Sequence, residues 1–428
     1  MSEIARLLLQ LAVIVLVARV FGFIFRKIRQ PQVIGEMFAG IVLGPSLLGL
    51  VAPSIMAALF PLASLKYLNA LSQIGLMLFM FLVGLGVNLT ELKKHGHAAV
   101  LVSHVSITAP FVLAVSLALF LYPRFSDSSI PFASFALFLG AAMSITAFPV
   151  LARILAERNM LYSRLGTVAI SCAAVDDVTG WCVLAYIVMV VRAQPGSSRL
   201  WLTFGGSLAF VAIMVLGGSR VFRQFLLLFE KRGQLSNNVL AGILLLLLGS
   251  ALATEWLGVH LLFGAFLMGV VMPKDRIFVK YLTTKFEFLP SALLLPTFFA
   301  LTGLRTSVTL LRGSVLYCML IISVAILGKM GGSMLAARLS GMSRREAAGI
   351  GVLMNTRGLM ELVILNIGRD INVISPALFS VMVVMALFTT FMTSPLLEWI
   401  CPAHMVVGEA PRMRAKGVCS QDTVMLTG

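Results

Sequence analysis

The chain has 428 residues, 59% of them hydrophobic and only 12% charged, with a formal net charge of +16 and a mean hydropathy of +1.01. A soluble domain carries about twice that charged fraction, so a water-soluble enzyme or binding module is excluded. The basic excess lies in short stretches between apolar runs rather than in one patch, which is a topology signal and excludes a nucleic-acid partner.

Apolar runs bounded by charge, proline or glycine predict an all-α polytopic membrane protein of about 13 transmembrane helices in a lipid bilayer. The spans are expected near 4–25, 32–48, 67–87, 98–122, 131–155, 163–191, 200–227, 236–256, 259–272, 286–304, 313–338, 346–368 and 375–400. Together they form one transmembrane unit over 1–400, followed by a short tail, 401–428. The first run is too long for a signal-peptide core and lacks a small-residue cleavage site.

Lys and Arg divide unevenly between alternate loops and the span ends beside them. One set holds 22: Arg26, Lys27, Arg29, Lys93, Lys94, Arg153, Arg158, Arg164, Arg220, Arg223, Lys231, Arg232, Lys274, Arg276, Lys280, Lys285, Arg338, Arg344, Arg345, Arg412, Arg414 and Lys416. The other holds 7: Lys66, Arg124, Arg192, Arg199, Arg305, Arg312 and Arg369. The positive-inside rule then places the amino terminus outside and the tail in the cytoplasm of a plasma or inner membrane.

Two sequence echoes share one offset of seven spans. Gly35-Glu-Met-Phe-Ala-Gly40 through Pro45 in span two echoes Gly264-Ala-Phe-Leu-Met-Gly269 through Pro273 in span nine. Phe81-Leu-Val-Gly-Leu85 in span three echoes Phe299-Ala-Leu-Thr-Gly-Leu304 in span ten. An odd offset inverts the second copy, as in secondary transporters, whose binding sites lie at interrupted helices in matching places of the two halves. Span five is interrupted at Ser144-Ile-Thr-Ala-Phe-Pro-Val150, because Pro149 lacks an amide hydrogen and pushes Phe148 out of helical geometry. Span twelve, seven further on, is interrupted at Asn355-Thr356-Arg357-Gly358. Each reads as two half-helices joined by unwound peptide, whose facing ends supply dipoles and free backbone groups.

Between these breaks in sequence lies Ser171-Cys-Ala-Ala-Val-Asp-Asp-Val-Thr-Gly180, mid-span in span six. One Asp at a helix centre costs about 2.5–3.5 kcal/mol on insertion scales, so Asp176 and Asp177 require a counter-charge, a cavity or a cation. They lie about 100° apart around the helix and cannot face the same way. Interacting acids titrate as a unit and can hold either a proton or a monovalent cation, which makes Asp177 and Asp176 the candidate metal ligands. Thr146 and Ser144, beside the backbone that Pro149 frees, are candidate oxygen ligands. Lys329 is too deep in span eleven to snorkel and is expected to pair with Asp176. Arg357 and Glu361, one turn apart, neutralise each other; with Asn355 and Thr356 they support the site. Glu36 either lines an entrance or binds a backbone amide. His104 is expected as a hydrogen-bonded interior histidine. Cys172, Cys182, Cys318, Cys401 and Cys419 form no framework. No phosphate loop, metal-ligand spacing or nucleophile–base pair points to an enzyme or a cofactor.

These residues resemble the monovalent cation:proton antiporter-2 family, over about residues 4–400. The resemblance rests on Gln32-Val-Ile-Gly-Glu36 through Gly44-Pro45, Thr146-Ala-Phe-Pro-Val-Leu-Ala-Arg153, Asp176-Asp177, Gly328-Lys329 and Asn355-Thr-Arg-Gly358. It implies the sodium/proton antiporter fold, with the unwound parts of spans five and twelve crossing, a core domain, a dimerisation domain and a homodimer. It implies that Asp177 binds the ion, that Asp176 pairs with Lys329, and that Thr146 and Ser144 assist. It further implies elevator-like exchange of Na+ or K+ for H+, with the Asp–Asp form pointing to sodium and electrogenic transport. The alternative in the same fold is a potassium efflux system or a gated potassium channel. Potassium-efflux relatives carry a nucleotide-binding domain after the last span; only about 28 residues follow Ile400 here, so gating by such a domain is not expected.

Overall fold

The computed structural model describes residues 2–28, 30–87, 96–126, 130–158, 160, 163–192, 199–311 and 313–401. Arg29, Lys93, Lys94, Arg312 and the tail 402–428, with Arg412, Arg414, Lys416 and Cys419, lie outside the described residues, as do the side chains of Arg153, Arg164, Arg192 and Arg199.

Among the described residues every regular element is helical. Eleven helices are long and apolar enough to cross a membrane, and two shorter apolar helices, Phe132–Ser144 and Leu261–Val271, fall where spans five and nine are expected. Large apolar side chains such as Leu16, Phe23, Leu245, Leu252 and Leu316 are exposed on the outer surface, the arrangement of a protein whose solvent is lipid. Two expectations need correction. Span ten begins at Arg276 rather than near 286, because Phe278 and Leu282 give its first turns a buried face. The connection between spans two and three folds into two short helices, Leu48–Val51 and Pro53–Leu59, where none was expected.

The spans pack as two groups. Span one lies on two, two on ten, three on nine and ten, and eight on nine. Span four lies on five, six and eleven, and eleven lies on twelve. Apolar side chains gain little by leaving lipid for a neighbouring helix, so close backbone approach through small residues drives such packing.

The first group shows this at two symmetric crossings. A methyl group on Gly40 would lie 2.9 Å from Ala300 Cα, and one on Gly303 would overlap the Gly40 carbonyl group. A methyl group on Gly269 would lie 2.9 Å from Gly84 Cα. Gly40 and Gly303 join spans two and ten; Gly269 and Gly84 join spans nine and three. The two crossings exchange under the sequence repeat, so the inverted repeat is physical. Each is capped by the residue after the repeated proline. Ser46 Oγ donates to Thr306 O at 2.8 Å; Lys274 Nζ donates to Gly84 O, Leu85 O and Gly269 O at 2.7, 3.1 and 2.8 Å.

Candidate ion-binding site

Spans five and twelve break where the sequence places polar or proline-bearing peptide. The first half of span five ends at Ser144 and the second begins at Phe148. Span twelve ends its first half at Met354 and resumes at Leu359. The unwound peptides cross: Ala147 N donates to Thr356 O at 3.0 Å, and Thr146 Oγ1 lies 3.1 Å from Met354 O, which competes with a carboxylate of span six for its one hydrogen. The breaks therefore satisfy one another's backbone groups, the condition for irregular peptide at membrane depth.

Span six brings Asp176 and Asp177 to this crossing in different environments, both at 1% exposure or less. Asp176 is fully engaged. Its Oδ1 accepts from Ser103 Oγ at 2.7 Å, and its Oδ2 accepts from Ser106 Oγ, Thr146 Oγ1 and Lys329 Nζ, each at 2.8 Å. Neither oxygen of Asp177 meets hydrogen-bond geometry among the described residues; the Phe148 backbone N–H, at the start of the second half of span five, is the nearest donor to it. Adjacent residues differ because each faces another neighbour, as their angular separation requires.

Lys329 lies on a π-helical turn, Leu327–Gly331, within span eleven. Such turns are frequent at functional sites. Gly328 beside it lets span eleven meet span four so closely that a Cβ would lie 2.7 Å from Pro110 Cα. The ammonium donates to Asp176, to Ser106 O at 3.0 Å and to Ser144 O, which occupies all three of its hydrogens.

Arg357 closes the same half-helix end. Its Nη1 and Nη2 donate to Ala142 O and Met143 O at 3.2 and 2.7 Å, and Nη1 lies 3.3 Å from Glu361 Oε2. Carbonyls 142, 143 and 144, unpaired by the end of the helix, thus all accept from Arg357 or Lys329, cations suited to a helix C-terminus. Thr390 Oγ1 fixes the Arg357 backbone by accepting from its N–H at 2.9 Å and donating to its C=O at 2.7 Å.

Not every singled-out residue is used as its side chain suggested. The Ser144 hydroxyl donates to Gly140 O at 2.5 Å within its own helix; its carbonyl, not its hydroxyl, meets Lys329. His104 is exposed rather than interior: its Nδ1 bonds Val100 O one turn back at 2.8 Å, so the ring needs no partner on another span. Glu36 lies on span two, in the wall of a separate cavity. Ser103 and Ser106 were missed, since a serine in an apolar span carries no local sign of what it faces. Asn355 Oδ1, Thr356 Oγ1 and Glu361 Oε1 join the two Asp177 oxygens as buried acceptors with no partner among the described residues. The carboxylate of Asp177, next in sequence to the fixed Asp176–Lys329 pair, can hold a cation or a proton.

The sodium/hydrogen exchanger transmembrane family model matches residues 12–400. The chain belongs to the sodium/hydrogen exchanger family. It is 43% identical to the Na(+)/H(+) antiporter NhaS4 of Synechocystis, over 93% of this chain and 97% of that one. It is 39% identical to Cation/H(+) antiporter 17 of Arabidopsis thaliana and 33% to K(+)/H(+) antiporter 1 of Saccharomyces cerevisiae, over 91% and 94% of this chain. The chain spans about half the length of those two relatives, 48% and 47%. The fold matches the sodium proton antiporter MjNhaP1 of Methanocaldococcus jannaschii with a TM-score of 0.69 at 16% identity, covering 95% of this chain and all of that one.

Proposed function

We propose that the chain exchanges a monovalent cation for protons across a membrane, with Asp177 as the group that carries one or the other. The observation that carries this reading is the contrast within the acid pair. Asp176 accepts from three hydroxyls and an ammonium, whereas neither oxygen of the equally buried Asp177 meets hydrogen-bond geometry among the described residues. A carboxylate held so must be protonated or must bind a cation. The exchange balances as Asp177–H plus cation giving Asp177–cation plus H+. Asn355 and Thr356 carry unpartnered buried oxygens on the crossing peptide, Thr146 and Ser144 hold the Asp176–Lys329 pair, and Arg357 and Glu361 fix the crossing.

The names of the relatives support sodium first and potassium second, since the Synechocystis relative is named for Na+ and the yeast relative for K+. One cation for one proton at Asp177 is electroneutral; the Asp176–Lys329 pair supports electrogenic exchange, in which the Lys329 ammonium gives up a second proton, becoming a neutral amine, as the cation binds. Spans four to six and eleven to thirteen form the body that carries the site. The glycine-locked spans one to three and eight to ten form the body against which it moves and through which two copies associate. The basic loops support a cytoplasmic tail in a plasma or inner membrane.

Proteoliposomes loaded with a pH dye test this reading by addition of sodium, lithium or potassium. Saturable cation-driven proton movement is expected, and Asp177→Asn abolishes it in folded protein. Full exchange in that variant refutes the assignment, and conduction without proton movement favours the channel alternative.

A further inference from the structure

The body that carries the acid pair and the glycine-locked body meet differently at the two faces. Toward the basic loops a cavity of about 290 Å3 lies between them, lined by Val33, Glu36 and Ser291 on one side and by Val150 and Leu359, just past the two breaks, on the other. Gln30 Nε2 bridges the same end by donating to Phe391 O at 3.2 Å. At the opposite face the end of span ten is bonded directly to spans twelve and thirteen.

Three groups at that end make the bonds. Arg305 Nη1 donates to Asn366 Oδ1 and Asp370 Oδ1 on span twelve, each at 2.9 Å. Thr302 Oγ1 accepts from Asn366 Nδ2 at 2.9 Å, and Ser307 N donates to Ser380 Oγ on span thirteen at 3.0 Å. The segment that presents them is fixed on its own body. Ser46 Oγ, at the end of span two, donates to Thr306 O at 2.8 Å and accepts from Val308 N at 3.1 Å, on either side of Ser307. Asp370 closes a helix, where a carboxylate alone is unfavourable, so the guanidinium is the partner its position requires.

Two further observations give these contacts a role in movement. The second half of span twelve, Leu359–Asp370, begins at the crossing and ends at the Arg305 contact. It is one helical rod about 17 Å long, so whatever holds Asp370 sets the level of the crossing and of the acid pair beside it. The inverted repeat is also broken at the cation. Gly303-Leu304-Arg305 corresponds to Gly84-Leu85-Gly86, and Gly86, at the basic-loop face, has no side chain with which to hold the carrying body.

We propose that Arg305, with Thr302 and Ser307, is a latch that holds the carrying body toward the basic-loop face. It must release Asn366, Asp370 and Ser380 before Asp177 can serve the other face. This rests on the antiport reading and adds to it a built-in preference for one orientation, in which Arg305 is a positioning residue. A face served by a minor fraction of molecules shows an affinity reduced by that fraction. Weakening the latch therefore improves apparent affinity at the face opposite the basic loops.

Everted and right-side-out vesicles from cells expressing the full chain provide the test, with sodium or potassium chloride added to one face at a time. Arg305→Gln is expected to lower the apparent KM for the cation at the face opposite the basic loops by about threefold to tenfold, the weight of one partly exposed charge-assisted bond. At the basic-loop face the KM stays within about twofold of the wild type. Asp370→Asn, which keeps the shape of the side chain, shifts the same face in the same direction and carries the test where Arg305→Gln does not fold. The double variant shifts no further than Arg305→Gln alone, and Arg305→Lys, which keeps the cation, stays nearer the wild type. A merely structural role lowers turnover from both faces and improves affinity at neither. That result, or unchanged KM values in Arg305→Gln and Asp370→Asn, overturns the latch and leaves antiport standing. No exchange from either face of the wild type overturns both.

Discussion

Lys329 and Asp176 form an ion pair with both side chains at 0% exposure, Nζ 2.8 Å from Oδ2. Breaking a buried pair by removing one partner costs about 3–5 kcal/mol, because the other charge is left uncompensated. Lys329→Met is therefore expected to lower the thermal midpoint of the purified protein sharply. Adding Asp176→Asn to that variant recovers part of the loss. Unaltered melting of Lys329→Met contradicts the pairing.

Arg357 caps two carbonyls of span five and pairs with Glu361 on span twelve. Arg357→Gln leaves Glu361 buried beside a half-helix end whose carbonyls face no cation from that side. A loss of about 3 kcal/mol or more is expected from the same buried-pair argument. The double variant Arg357→Gln/Glu361→Gln is expected to be more stable than the sum of the single losses predicts. A double-mutant cycle in thermal unfolding checks this, and strict additivity contradicts it.

The glycine crossings predict a sharp contrast among substitutions of one type. Gly303→Ala and Gly40→Ala place a methyl group into backbone of the partner helix, and overpacking of this kind costs about 1–3 kcal/mol or more. Gly249→Ala, mid-helix in span eight with open space around it, is expected to be neutral or to stabilise, as helix propensity favours Ala. Yield of monodisperse protein and melting temperature separate the two classes.

Lys274 gives a pH dependence outside the membrane-spanning segments. Burial pushes its ammonium down from 10.5 to about 7. The unfolded chain then holds a proton that the folded chain releases between those values, so stability rises with pH across that window. The three carbonyls that accept from the charged form oppose the shift and so narrow the window, within which one proton gives a slope of at most about 1.4 kcal/mol per pH unit. Melting measured between pH 7 and 10 is expected to rise in the wild type relative to Lys274→Met. Parallel curves would show that the carbonyls hold the ammonium charged throughout.

Much of this architecture was legible because lipid imposes simple rules. Apolar length located the thirteen spans, and Pro149 and the polar run Asn355–Gly358 marked the two breaks, since neither can continue a helix without help. The depth of Lys329 and Asp176 made their pairing an energetic necessity rather than a guess. What escaped notice depends on facing. Ser103 and Ser106 look like any serine of an apolar helix until span four is rotated against span six. Nothing in Leu327–Gly331 announces a π turn, and His104 looked interior because its neighbours are apolar, although in a membrane apolar neighbours mark the outside as well. The Ser46 and Lys274 caps follow equivalent prolines, but serine and lysine share no pattern that aligns them. Only the crossing of helices related by the repeat does so.

The claim on which the account turns is that Asp177 holds a proton or a cation, one at a time. Proton release on adding sodium chloride to purified protein in weakly buffered detergent, followed with a pH dye alongside calorimetric binding, tests it most directly. Wild type is expected to release protons in proportion to sodium bound, and Asp177→Asn to do neither. Sodium binding without proton release at any pH, or undiminished release from Asp177→Asn, would contradict it.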